Sequence, residues 1–156
     1  MKIILYFLSL TLFIGLLSCN SDDDRNSTPN PNNNALQVVA TMTSGNWRIT
    51  SFTEDSDDHT DDFAGFTFTF GNTGVLTATN GSSNRVGAWS VTSDDNSNDD
   101  NSNSDLDFNI SFVAPADFAE LTEDWHILER TDTKLRLRHV SGGNGGTDLL
   151  TFEKNS

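Results

Sequence analysis

Short runs in which apolar and polar residues alternate limit most strongly how this chain can fold. Residues 105–112 give the clearest run, because every second residue is apolar and its neighbours are polar or acidic. Side chains at every second position of a strand share one face of the sheet. Helical periodicity is nearly absent from the chain, whereas this alternation recurs. The pattern is typical of half-buried antiparallel strands and predicts an all-β domain.

Eight candidate strands of this kind fit into about 120 residues. They cover residues 47–52, 66–70, 75–79, 86–92, 106–112, 125–129, 135–140 and 148–153. The connections are too short for parallel crossovers, which need a dozen residues or more, so we expect antiparallel order. We predict an up-and-down, eight-stranded barrel, because closing the sheet removes its unpaired edges. A two-sheet β-sandwich is the alternative that the same spacing allows. Short helices are expected at residues 35–43 and 116–121.

The first 18 residues have the pattern of a bacterial signal peptide. Lys2 precedes an apolar run over residues 3–17, which is shorter than the about 20 residues of a membrane-spanning helix. The run ends at Ser18 and Cys19, and a small residue before the single cysteine resembles the lipobox of bacterial lipoproteins. We therefore expect lipid on Cys19 to hold the mature protein to a membrane. Ordinary cleavage with a free Cys19, or a retained N-terminal anchor, are the alternatives.

The segment after Cys19 changes abruptly to polar composition. The acidic run at residues 20–24 resembles the export signal of surface lipoproteins in the Bacteroidetes, which implies an outer-membrane protein exposed at the cell surface. A domain that faces the periplasm is the alternative. Residues 25–34 are nearly all Asn, Ser, Thr and Pro, a composition that cannot bury enough apolar surface to fold. We therefore divide the chain into a signal peptide (1–18), a lipidated cysteine with a disordered tether (19–35) and a barrel domain (36–156).

The formal net charge of −14 becomes −15 when Lys2 leaves with the signal peptide. Such acidity excludes nucleic-acid binding, which needs clustered Lys and Arg. Six acidic residues lie between residues 54 and 62 and six more between 94 and 107, in apparent loops, where they predict solubility rather than a site. Residues 94–100 alternate oxygen-bearing side chains as calcium loops do, but they lack the glycine and glutamate of an EF-hand. We predict no metal and no cofactor.

A Gly-x-Trp sequence that ends at Trp47 is similar to the one at the start of the first lipocalin strand. The wider pattern, with a second Gly-x-Trp at Trp89, an Asp-Trp at Trp125 and a final strand over residues 150–154, resembles lipocalin-like (calycin-type) lipoproteins of the Bacteroidetes. The chain is shorter than a typical lipocalin and lacks the disulfide that many members carry. The resemblance implies a barrel whose closed end is filled by Trp47, and it points to Arg138 as the late-strand arginine that packs over this tryptophan.

No motif of a known catalytic site is present, since Gly-x-Ser-x-Gly, His-Glu-x-x-His and phosphate-binding loops are all missing from the sequence. The three histidines, His59, His126 and His139, have no recognisable partner in sequence, and we interpret them as ordinary surface or rim residues. We therefore predict a protein that is not an enzyme. A hydrolytic enzyme is retained only as an alternative.

Aromatic residues are the candidates for ligand binding, because an eight-stranded barrel is either filled by its own side chains or holds one small molecule. The predicted function is a non-catalytic, monomeric barrel that binds a small apolar ligand. The alternative is a structural module, or one that binds protein or glycan, in which the rings are simply the core. The candidate lining residues are Trp47, Phe66, Phe68, Phe70, Trp89, Phe108, Phe112 and Trp125.

Overall fold

The computed structural model describes residues 31–93, 106–142 and 145–156, with side chains from residue 34 onward. Its strands are β1 (Asn46–Glu54), β2 (Asp57–Asp58), β3 (Thr67–Phe70), β4 (Val75–Thr79), β5 (Asn84–Ser93), β6 (Leu106–Ser111), β7 (Asp124–Arg130), β8 (Lys134–Val140) and β9 (Thr147–Lys154). Its helices are α1 (Pro31–Thr43), a 3₁₀-helix (Thr60–Phe63) and α2 (Ala116–Ala119). The predicted signal peptide (1–18), Cys19, most of the predicted tether and the acidic segment at residues 94–100 lie outside the described residues.

Eight of the described strands close into an antiparallel barrel. Each strand pairs with the next in the order β1-β3-β4-β5-β6-β7-β8-β9, and β9 pairs with β1 to complete the ring. The two-residue strand β2 pairs only with β1 and lies outside the ring. The prediction of an up-and-down, eight-stranded barrel is confirmed, and the sandwich is not formed.

Residues that alternate along the sequence face alternately the core and the outside of this barrel. On β6, Leu106, Phe108 and Ile110 are buried, and on β8, Leu135 and Leu137 are buried between more exposed basic residues. The eight predicted strands match the ring strands to within a few residues. Strand β2 and the 3₁₀-helix were not predicted, because elements of two and four residues are too short to show a period.

Helix α1 covers one end of the barrel, which we call the closed end. Val38 and Met42 on this helix are buried against the core, and the indole N–H of Trp47 donates a hydrogen bond of 2.8 Å to the carbonyl of Met42. The helix begins at Pro31, so it includes the last residues of the segment that composition predicts as tether. Proline suits this position because the first turn of a helix needs no backbone donor.

The opposite end, where β1 and β8 finish and β7 and β9 begin, is the mouth of the barrel. Two connections fold over it: the 3₁₀-helix between β1 and β3, and α2 between β6 and β7. Phe63, Phe118 and Leu121 from these connections are all at most 1% exposed. We call these three residues the mouth plug. Both ends of the barrel are therefore covered by side chains of the chain itself.

Candidate functional site

The structure brings the eight predicted lining residues into one hydrophobic core inside the barrel. Seven of them are buried, and Phe66 is partly buried against the same core. Near the closed end, the ring centroid of Phe70 lies 5.2 Å from that of Trp89 and 5.7 Å from that of Phe108. These edge-to-face contacts are the geometry that aromatic pairs prefer. The rings therefore pack on one another, and whether they also contact a ligand stays a prediction.

Phe118 of the mouth plug is a central ring that the sequence analysis did not include. Its centroid lies 5.3 Å from Phe63, 5.0 Å from Phe66, 6.2 Å from Phe68 and 5.1 Å from Phe112. It thus covers three of the predicted lining residues from the mouth side. The available signal was the spacing of Phe118 and Leu121 in a predicted helical turn, since residues three apart lie on one helix face.

The predicted role of Arg138 is wrong. Arg138 is exposed on β8 opposite Leu149, whereas Lys154 places its Nζ atom 5.9 Å from the centre of the Trp47 ring. The pairing of β1 with β9 sets Trp47 directly opposite Lys154, at the closed end of the barrel. Arg138 lies near the mouth end of β8, whereas Trp47 lies at the closed end, so Arg138 cannot reach the Trp47 ring.

A first histidine cluster lies at the mouth, in the connection between β1 and β3. The His59 Nδ1 atom is 3.4 Å from the Asp62 Oδ2 atom, and its Nε2 atom is 4.0 Å from the Glu54 Oε2 atom. Glu120, from the end of α2, offers a carboxylate oxygen within 4.8 Å of ligand atoms of both His59 and Asp62. The Phe52 ring packs against the imidazole with 5.9 Å between centroids.

A second histidine cluster lies at the same end, around His139 on β8. Its Nε2 atom is 3.4 Å from the Glu123 Oε2 atom and 3.6 Å from the Asp124 Oδ1 atom. Its Nδ1 atom is 3.4 Å from the Oδ2 atom of the buried Asp148, and the other oxygen of Asp148 accepts a hydrogen bond from the backbone N–H of Asp55. His126, by contrast, pairs with Asp107 on the neighbouring strand β6.

The carboxylates around these two histidines form one surface, which we call the acidic rim. It consists of Glu54, Asp62, Glu120, Glu123, Asp124 and Asp148. The acidic loop at residues 54–62 was predicted to provide solubility, and the histidines were interpreted individually. No local pattern indicates the rim, because its residues come from strand ends and connections in three separate parts of the chain that only the barrel brings together.

Charge repulsion within the acidic rim is visible at Glu54. Burial raises the pKa of its carboxyl group, and the negative charges of Glu120, Asp148 and Asp55 raise it further, while His59 acts in the opposite direction. The Oε2 atom of Glu120 is buried without a hydrogen-bond partner among the described residues. The arrangement is therefore suited to positive charge, either as a bound cation or as a basic group of a partner.

Comparisons with known proteins identify no family for this chain. No protein-family model matches the sequence, and no curated protein matches it either. A crystal structure of a DUF4847 family protein from Bacteroides vulgatus ATCC 8482, determined at 1.00 Å resolution, is similar to this chain with a TM-score of 0.45 and 15% sequence identity. The match covers 76% of this chain and 97% of that one. No helix in the described ranges combines the length and the apolar character needed to cross a bilayer.

Proposed function

We propose that this chain is a membrane-anchored lipoprotein whose barrel is a non-catalytic binding module, and that it recognises a positively charged partner at the acidic rim. The anchor is the lipid on Cys19, and the domain faces the medium from the outer membrane or, alternatively, the periplasm. The observation that carries the binding role is the gathering of six carboxylates around two histidines at one end of the barrel. Opposite charge across an interface mainly supplies specificity and fast association.

Intact mass spectrometry of the protein purified from membranes tests the anchor. We expect the mass of a chain that starts at Cys19 plus diacylglycerol and one acyl group. The matched control is Cys19→Ala, for which we expect no lipid and no retention in the membrane fraction. An unlipidated wild-type product would refute the anchor. Protease added to intact cells then separates the two orientations, because only a surface-exposed domain would be cleaved.

Matched charge variants test the binding role of the acidic rim. A rim variant that carries Glu54→Gln, Glu123→Gln and Asp124→Asn removes three negative charges. A control variant that carries Asp94→Asn, Asp95→Asn and Asp99→Asn removes the same number from the acidic segment at residues 94–100. We expect the rim variant to lose most of its affinity for an oligolysine probe at physiological salt, whereas the control keeps it. Equal loss in both variants would mean that net charge alone attracts the probe, and the rim would not be the site.

A small apolar ligand inside the barrel is the function predicted from the sequence, and the buried Phe118 ring decides whether such a ligand can enter. This ring sits on a four-residue helix and occupies the space above Phe66, Phe68 and Phe112. A ligand that reaches those residues from the mouth has to displace it. We expect a fluorescent apolar dye to bind Phe118→Ala more tightly than the wild type, with the exposed Val113→Ala as control. No binding to either protein would exclude this candidate.

A further inference from the structure

We propose that His59, Asp62 and Glu120 bind a divalent transition-metal ion of the zinc class at the mouth of the barrel. The inference goes beyond the proposed function, because the ion is held by the domain itself whether or not the rim has a macromolecular partner. Each of the three residues contributes one ligand atom, and the three ligand atoms all lie within 4.8 Å of one another.

The separation of two of the three ligand atoms fits a small metal ion. A tetrahedral zinc ion with bonds of about 2.0–2.1 Å places neighbouring ligand atoms about 3.4 Å apart. The His59 Nδ1 and Asp62 Oδ2 atoms are 3.4 Å apart. The other ring nitrogen of His59 faces Glu54 at 4.0 Å, and a carboxylate at the second nitrogen is the usual way in which metal-binding imidazoles are oriented.

The buried oxygen of Glu120 is a second observation at this cluster. Its Oε2 atom has almost no solvent contact and accepts no hydrogen bond within the described part of the chain. A buried carboxylate oxygen without a partner is costly, because the hydration that it loses is not replaced. An Asp62 carboxylate oxygen lies within 4.8 Å of a carboxylate oxygen of Glu120, so two negative charges meet there. A cation bound between them would supply the compensation.

Local structure holds the three ligands in place. The backbone N–H of His59 donates a 2.9 Å hydrogen bond to the carbonyl of Phe52, and the imidazole packs on the Phe52 ring. Asp62 lies within the 3₁₀-helix that follows His59, whereas Glu120 follows α2 directly. The two helices already contact each other through Phe63 and Phe118, at 5.3 Å between centroids. The metal would therefore link the two connections that cover the mouth.

The ligand types select the class of metal. Calcium and magnesium take oxygen ligands, whereas an imidazole nitrogen combined with carboxylates suits zinc and related transition metals. The second cluster, around His139, has similar ligand types at 3.4 and 3.6 Å. Its carboxylates contain no buried oxygen that is without a partner among the described residues. The cluster around His139 is therefore the internal control for zinc binding.

Titration of the full-length chain with ZnCl₂ alone, in competition with a chromophoric chelator, tests the inference. We expect one tightly bound equivalent and a rise in melting temperature on zinc addition. His59→Ala and Glu120→Gln should each weaken binding at least tenfold and reduce that rise, whereas His139→Ala should leave both unchanged. Glutamine keeps the shape of Glu120, and melting temperatures measured in chelator confirm that each variant is folded.

Three results would overturn the inference: no stoichiometric zinc binding by the wild type, loss of binding in His139→Ala with His59→Ala unaffected, or equal affinity in Glu120→Gln and the wild type. Protein from the membrane fraction and Cys19→Ala protein from the soluble fraction should give the same titration. Failure of the lipid anchor would therefore be visible separately from failure of the metal site.

Discussion

Replacement of Phe118 by alanine is the most direct test of how the barrel mouth is closed. The Phe118 side chain is 0% exposed, and four aromatic rings surround it with centroids 5.0–6.2 Å away. Alanine removes the whole ring and all four contacts, and it leaves the backbone of α2 unchanged. The substitution therefore separates the packing of the mouth plug from the folding of the barrel strands.

The magnitude follows from two contributions. Exposing a fully buried phenylalanine costs about 2–3 kcal/mol in transfer free energy. A residual cavity on the order of 60 Å³ adds about 1.5 kcal/mol at roughly 24 cal/mol per Å³. We therefore expect Phe118→Ala to lower the free energy of unfolding by about 4 kcal/mol, a large part of the 5–15 kcal/mol typical of a whole domain. Collapse of the short helix α2 into the space would reduce the loss towards about 3 kcal/mol.

Urea unfolding followed by tryptophan fluorescence measures this loss, and the slope of the free energy against urea shows whether the barrel still unfolds as one unit. Val113→Ala is the control, because Val113 lies in the same connection and is 94% exposed. We expect the control to change stability by less than about 0.5 kcal/mol. A loss below about 1.5 kcal/mol for Phe118→Ala would refute the reasoning, because it would mean that the plug is not tightly packed in solution.

Substitutions at three further positions test other parts of the structure. Gly87→Ala should destabilise the fold by about 1–3 kcal/mol in the same urea assay, because a Cβ atom there would clash with the backbone carbonyl oxygen of Ser111 and lie 2.7 Å from the Phe112 ring. The larger side chain of Gly87→Ser should destabilise it further. Trp47→Phe should lower the free energy of unfolding by about 1–3 kcal/mol, because the buried carbonyl of Met42 loses its 2.8 Å hydrogen bond. Full stability of the variant would contradict this role of Trp47. The pKa of Glu54 is raised in the folded state, so the folded protein binds this proton more strongly than the unfolded chain, and the free energy of unfolding should fall as pH rises above about 4.5. Glu54→Gln should remove this pH-dependent fall in stability, whose size solvent screening limits to less than about 1 kcal/mol. Melting temperatures measured over a pH series test this, and a Glu54→Gln profile identical to that of the wild type would refute the assignment to Glu54.

The strands and their inward faces were predictable because both depend on local sequence. Alternation over residues 105–112 is sufficient to place Phe108 on the inner face of β6, and turn residues bound the hairpin between β3 and β4. The position of Trp47 at the start of β1, and its place at a covered end of the barrel, also followed from a short motif. Strand periodicity is a property of neighbouring residues, so it can be read without knowing the partner strand.

The contents of the two barrel ends could not be predicted in the same way. Lys154 rather than Arg138 lies over Trp47, because the pairing register of the first and last strands decides which basic side chain reaches the ring. Likewise, His59 and Glu120 are 61 positions apart in the sequence, in the connections after β1 and β6, and nothing in either segment indicates the other.

The sequence by itself determined the number of ring strands, their antiparallel order and the side of each strand that is buried. It also contains the residues on which the proposed membrane anchor depends. Only the tertiary structure decided that Phe118 covers the mouth and that the acidic rim collects its carboxylates around His59 and His139. The physical reason is that closing the barrel brings every second connection to the same end. Distant loops thus become neighbours through strand pairing, which no local pattern records.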